Sequence, residues 1–280
     1  MKILVGTILT EDNEQQREWL KLQLAFLKAT TEQFDHITVV WGGIKSEGFP
    51  DNTTTVEPEA VVTGIDAHRK GLNYLIQLFR QYQKDYDSFL FLDSDAFPIK
   101  KNWVHHLLDK MDKYPVDKGD TPPRHFDIAI PVRPENLETR LHSSILFADK
   151  EALPHISFEF GPIPRGDLFG DLEKDLHLPE YETERRQLVF PLVRSNQFNV
   201  HPLACGIYYD MFYHHCCGSG RSFEVRGDRY WDKRDLNTPM DEMTQMLMAN
   251  PSAFISRLAG WALQRYANIK VDNDGEKTAG

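Results

Sequence analysis

The chain has 280 residues, with 32 Lys and Arg against 42 Asp and Glu, so 32 − 42 gives a formal charge of −10. Apolar residues make up 41%, which suits a packed core and excludes a disordered chain. No apolar run reaches the ~18 residues of a membrane-spanning helix. At roughly 150 residues per domain, the length fits one large domain or two small ones. The net acidity disfavours a nucleic-acid footprint, leaving room only for a local basic cleft. The three cysteines, Cys205, Cys216 and Cys217, cannot form a disulfide framework, so a reducing, cytoplasmic setting is expected.

The elements follow in chain order. Lys2–Leu9 is short, branched and almost wholly apolar, as in a strand covered on both faces. It runs into Glu11, Asp12 and Glu14 without a small-residue cleavage site, and so reads as a first strand, not a signal peptide. Trp19, Leu20, Leu22, Leu24, Phe26 and Leu27 recur at about three and four residues, a helical spacing. His36–Trp41 is a second strand, closed by Gly42 and Gly43. Asp66 is placed to cap a helix whose face carries Leu72, Leu75, Ile76, Phe79 and Tyr82. Ser88–Leu92 is a further buried strand. This alternation predicts parallel βαβ units and an α/β fold.

Beyond residue 100 the pattern loosens. Phe126–Pro131 and Ser144–Phe147 are predicted strands, 154–166 a loop, and a helix is expected from Gly166 to Leu176. Two C-terminal helices are expected around 240–249 and 253–268, the second packing Phe254, Leu258, Trp261 and Leu263 onto the domain. One domain is expected over 1–270, with 271–280 a flexible tail.

The most informative stretch is Phe89-Leu-Phe-Leu-Asp93-Ser94-Asp95-Ala96-Phe97-Pro98. In a strand, side chains two apart share a face, which would put the two carboxylates' Cβ atoms about 6.5 to 7 Å apart. They lie at the carboxyl end of a strand, where open α/β sheets bind ligands. Two neighbouring carboxylates repel, and a divalent cation relieves the repulsion; oxygen ligands select Mg²⁺ or Mn²⁺. The plainer alternative is a pair of turn-forming acids. A phosphatase of the haloacid-dehalogenase type would also use such acids. It needs Thr or Val where this chain has Phe97, and usually carries them on the first strand.

Leu92-Asp93-Ser94-Asp95-Ala96-Phe97-Pro98 resembles the Asp-x-Asp motif of glycosyltransferases with the GT-A fold. The first strand, the helix start Asp66-Ala-His-Arg-Lys-Gly-Leu-Asn73 and the segment Tyr213-His214-His215-Cys-Cys-Gly218-Ser219-Gly220 are similar to family features in the same order. The resemblance spans roughly residues 1–225. It implies a Rossmann-like, mixed but mainly parallel sheet flanked by helices, with a helical C-terminal part. Residues 1–100 would form the nucleotide-binding half and 101–270 the acceptor half. It further implies that Asp95 binds Mn²⁺ or Mg²⁺ and that Asp93 shares the metal or contacts the donor ribose. His214 or His215 would complete the shell. Adjacent residues of an extended segment face opposite ways, so only one should reach the cation; His215, nearer the Gly218-Ser219-Gly220 turn, is preferred. The Gly218–Ser219 turn and Arg221 would hold the diphosphate; Thr7, His68, Arg69, Asn73 and Ser94 would line the donor site.

On this resemblance the chain is expected to be a cytoplasmic enzyme moving a sugar from a nucleotide diphosphate, a UDP-sugar by family frequency, to an acceptor hydroxyl. Asp167 or Asp171, four apart at a helix start, is the expected general base, although helix capping would equally place an Asp there. His142, Ser143, Ser144, Tyr230 and Trp231 are candidates for the acceptor site. A saccharide is the default acceptor and a hydroxylated nucleobase in DNA the lesser one. A dehalogenase-like phosphatase and a non-catalytic nucleotide-binding module are the alternatives. The contiguous His214, His215, Cys216 and Cys217 cannot converge on one zinc ion, and His105 and His106 are read as structural.

Overall fold

In the computed structural model, the residues described are 1–9, 14–40, 54–56, 64–113, 126–133, 140–141, 144–153, 188–193, 195, 206–215 and 240–256. The first strand, β1 (Ile3–Leu9), is buried along its whole length. It lies parallel between β2 (Phe34–Val40) and β4 (Ser88–Asp93), Ile3 standing opposite both Phe34 and Ser88. Beyond β2 comes the parallel β3 (Thr54–Val56). On the other side, β8 (Ile145–Asp149) runs antiparallel to β4 and to β6 (Phe126–Arg133). The short β7 (Arg140–Leu141) and the parallel β9 (Leu188–Val193) both pair with β6. The order is β3-β2-β1-β4-β8-β6-β7. Strands β1 to β4, β6 and β9 thus run one way, and β7 and β8 the other. This is the mixed, mainly parallel α/β sheet expected.

Period-two alternation divides the core between the two faces. Leu4, Ile8, Ile37, Val39, Phe89 and Phe91 meet Leu72, Leu75, Ile76 and Phe79 of helix α2 (Gly64–Gln81). Ile3, Val5, Leu9, Leu90 and Leu92 face Leu20, Leu24 and Leu27 of α1 (Glu14–Thr30) and Trp103, Leu107 and Met111 of α3 (Trp103–Lys113). The two crossover helices therefore cover opposite faces, and strands buried on both sides read as continuous apolar runs. Two local expectations need correction. Helix α2 starts at Gly64, so Asp66 lies inside its first turn and not at the cap. Tyr82 falls past the helix end and is 41% exposed, not on the core face. His105 and His106 likewise stand exposed on α3.

Close packing between β1 and α2 depends on Gly6. A Cβ there would stand 2.5 Å from Leu75 Cδ2 and 2.8 Å from its Cγ. Because Leu75 is fully buried, it has little room to retreat. Gly6→Ala is expected to destabilise the fold by about 1 to 3 kcal/mol, the usual range for overpacking. A denaturant midpoint equal to that of the wild type would refute this.

A second, antiparallel sheet has the order β10-β11-β5 and combines β5 (Ala96–Pro98), β10 (Gly206–Tyr208) and β11 (Phe212–His214). Its Phe97, Ile207 and Tyr213 form a third apolar cluster with Trp19 of α1, Leu247 of α4 (Met240–Ala249) and Phe254 from a helical stretch over 251–256. Phe254 thus docks on the protein as expected; Leu258, Trp261 and Leu263 lie outside the described residues, as do the predicted loop 154–166, the helix over 166–176 and the tail 271–280. No helix among the described residues is long and apolar enough to cross a membrane.

Candidate metal centre

The alternation that buries Phe89 and Phe91 against α2 puts Asp93, the last residue of β4, on the same face. There His68, one turn into α2, brings its Nε2 to 3.0 Å from Asp93 Oδ1. The chain then turns through Ser94 and Asp95 before β5 begins at Ala96. The two acids therefore do not sit on one continuous strand, as the spacing had predicted. They converge across a turn.

The third member arrives on the β10–β11 hairpin. Its tip holds Tyr209 and Asp210 at φ of 53° and 54°, left-handed values that reverse a chain sharply and that Asp tolerates better than Tyr. This register sets His214 opposite Ala96, and the amide of His215 donates to the Asp95 carbonyl at 3.0 Å. His214 Nε2 consequently lies 3.5 Å from Asp95 Oδ1 and 3.8 Å from Asp93 Oδ2. One ligand atom from each of Asp93, Asp95 and His214 falls within 4.8 Å of the others. Asp95 and His214 are 5% and 2% exposed, and Asp93 is half-buried. Two carboxylates brought this close, one of them out of water, are costly unless a cation neutralises them.

Of the two adjacent histidines, the structure turns His214 to the acids and places His215 outside the group, correcting the preference for His215. The His215 ring lies 4.6 Å from the ring of Trp19, and its Nδ1 is 2.7 Å from the Tyr213 hydroxyl. Thr7 also needs correction. It lies within β1, fully buried, with its hydroxyl 2.7 Å from Gln23 Oε1 and 3.1 Å from His36 Nε2, and offers no face to a nucleotide. His68 stands at the acids, Ser94 is in the turn between them, and Asn73 is half-buried further along α2. Ser144 is buried, and its carbonyl accepts from the Asp93 amide at 2.8 Å. Arg69 belongs to α2, but its side chain lies outside the described residues. So do Asp167, Asp171, Gly218, Ser219, Arg221, His142, Ser143, Tyr230, Trp231 and all three cysteines.

Gln23 was not anticipated. It is fully buried on α1, and its amide nitrogen donates to the carbonyls of Asp93 at 2.8 Å and Ala96 at 2.7 Å, on either side of the Ser94–Asp95 turn. The signal was present: Trp19, Leu20, Leu24 and Leu27 mark the buried stripe, and Gln23 falls inside it. A polar residue in such a stripe must have hydrogen-bond partners.

The fold and these side chains together define an α/β protein with an Asp–Asp–His group, able to hold a divalent cation, at the C-terminal edge of a mainly parallel sheet. No protein-family model matches the sequence, and no curated protein is significantly similar to it. Among solved structures the chain is similar to a glycosyltransferase involved in the glycosylation of the major capsid of PBCV-1. That match has a TM-score of 0.41 and 14% identity, over 68% of this chain and 82% of the other. It is also similar to A197 from STIV, at a TM-score of 0.38 and 11% identity, over 77% of this chain and 94% of the other. The functional reading rests on the side chains.

Proposed function

We propose that the protein is a metal-dependent glycosyltransferase, with one catalytic domain over 1–270. It moves a sugar from a nucleotide diphosphate donor, read as a UDP-sugar, to an acceptor hydroxyl; the acceptor we favour is a saccharide, and the second reading is a hydroxylated nucleobase in DNA. The observation that carries this is the convergence of Asp93, Asp95 and His214 within 4.8 Å at the sheet edge where α/β folds bind nucleotides. Two oxygen donors and one imidazole suit Mn²⁺ better than Mg²⁺, which prefers oxygen alone. When bound, the cation neutralises the leaving diphosphate as a Lewis acid.

The chain's own residues do the rest. His68 contacts Asp93 Oδ1 and leaves Oδ2 turned toward His214, fixing the carboxylate's orientation as an outer partner does in other metal sites. Gly218 and Ser219 offer backbone N–H groups, and Arg221 a guanidinium, to the diphosphate oxygens. Asp167, or Asp171 four residues later, takes the proton of the attacking hydroxyl in an inverting reaction.

A thermal-shift panel tests the reading, with UDP, GDP, TDP and CMP each in Mn²⁺ and again in EDTA. At about 100 times its Kd a ligand adds about 2.7 kcal/mol, which at roughly 2 to 4 °C per kcal/mol is a rise of several degrees. One diphosphate is expected to give that rise in Mn²⁺ and lose it in EDTA. No shift with any of the four would refute a metal-dependent nucleotide site.

A further inference from the structure

We infer that Gln23 is a positioning residue of the metal centre: from the middle of α1 it clamps the turn that brings Asp93 and Asp95 together. The inference rests on the metal site proposed above. A primary amide has two N–H donors and an acceptor oxygen, and here all are engaged without water. The two donors go to the carbonyls of Asp93 and Ala96, at 2.8 and 2.7 Å, the residues immediately flanking Ser94–Asp95. The oxygen accepts from the Thr7 hydroxyl at 2.7 Å, which fixes which end of the amide faces the turn.

Thr7 Oγ1, having donated its proton to Gln23, has lone pairs left for His36 Nε2, 3.1 Å away. That assigns the neutral Nε2–H tautomer to His36 and leaves its Nδ1 as the acceptor toward Thr38 Oγ1 at 3.4 Å. A buried polar chain therefore runs from β2 through β1 and α1 to the turn between β4 and β5. Gln23, Thr7, His36 and Thr38 are all buried, so each lost bond would leave a polar group without water to replace its partner.

The clamp has a geometric consequence. Asp95 lies beyond the end of β4, so the main sheet's ladder does not hold it. Its backbone is held on the β11 side by the His215 amide at 3.0 Å, and Gln23 holds the turn from the α1 side. A carboxylate moved by an ångström no longer meets the imidazole and its partner acid at ligating distance.

The test is Mn²⁺ affinity, measured with the metal alone by the paramagnetic resonance of free Mn²⁺, alongside amide hydrogen exchange. Gln23→Met keeps the length and removes both donors. It is expected to weaken Mn²⁺ binding by about 10- to 100-fold, the usual effect of losing an outer partner, and to speed exchange over 93–97 and at His215. Thr7→Val, which frees the amide to rotate, is expected to weaken it in the same direction by a smaller factor, and serves alone should Gln23→Met not fold. Leu27→Ala, a core truncation on the same helix, is expected to lower the melting temperature and leave Mn²⁺ affinity unchanged.

Gln23→Met or Thr7→Val binding Mn²⁺ as tightly as the wild type would overturn the inference. So would an equal loss in Leu27→Ala, because the effect would then be one of stability. A wild type that takes up no Mn²⁺, or takes it up equally as Asp95→Asn, would overturn the metal site itself and the inference with it.

Discussion

Asp95→Ala is expected to abolish the Mn²⁺-dependent thermal shift and to lower transfer by at least about 10³-fold, more than the 10- to 100-fold typical of an outer partner. Asp95 is the acid at the centre of the site, 5% exposed and 3.5 Å from His214 Nε2. The same change is expected to cost the metal-free protein little stability. Truncation removes the carboxylate's approach to His214 but keeps the backbone tie, the Asp95 carbonyl accepting from the His215 amide. Removing one of two neighbouring carboxylates also relieves their mutual repulsion. A turn-forming acid behaves in the opposite way, since its loss would lower the melting temperature by the same amount whether or not metal is present. Melting curves of wild type, Asp95→Ala and the isosteric Asp95→Asn, each with Mn²⁺ and with EDTA, separate the two. An unaltered Mn²⁺ response in either variant would remove the metal site from consideration.

How far the sequence foretold this site differs residue by residue. Asp93 was legible because strand periodicity is local: Phe89, Phe91 and Asp93 share a face whatever the rest of the chain does. Asp95 was legible as a member but not in its geometry, since the two-residue rule holds only within a strand and β4 ends at Asp93. His68 was assigned to the donor site, yet its contact is with Asp93, 25 positions away in sequence. Only the docking of α2 on the sheet creates that contact. The choice between His214 and His215 could not be made from alternation alone, which says that the two face opposite ways but not which faces in. The register of the hairpin decides it, and that register follows from the left-handed turn at Tyr209 and Asp210.

Thr7 shows the converse error. A hydroxyl near a strand's carboxyl end suggests a ligand contact, but Thr7 points to the α1 face, where Gln23 and His36 complete its bonding. His36 sits in a run that reads simply as a buried strand; period two puts Thr38 on its face, but only the pairing of β1 with β2 brings Thr7 to it.

That placement gives the second large effect, an acid instability set by His36. The residue is buried among the uncharged Thr7 and Thr38, and burial pushes its pKa from 6.5 down to about 3. The unfolded chain therefore binds a proton that the folded chain refuses throughout that interval, so stability rises with pH across it. The contribution is fully present above about pH 6.5 and is lost progressively as the pH falls toward 3. At about 1.4 kcal/mol per pH unit the whole window is worth up to roughly 5 kcal/mol, as much as the total stability of a marginal domain. Asp35 behaves differently. The Lys2 ammonium, 2.8 Å away, and the Tyr86 hydroxyl hold its carboxyl below the usual range, so its contribution fades only below about pH 4. With its side chain 54% exposed, that contribution is small. Between pH 6.5 and 4.5 the difference between wild type and His36→Gln isolates the histidine, because glutamine can donate to Thr7 but does not titrate. The variant is expected to start less stable at pH 7.5 and to show a flatter decline toward pH 4.5. Parallel slopes for the two proteins in urea titrations across that range would show that His36 is protonated in the fold after all.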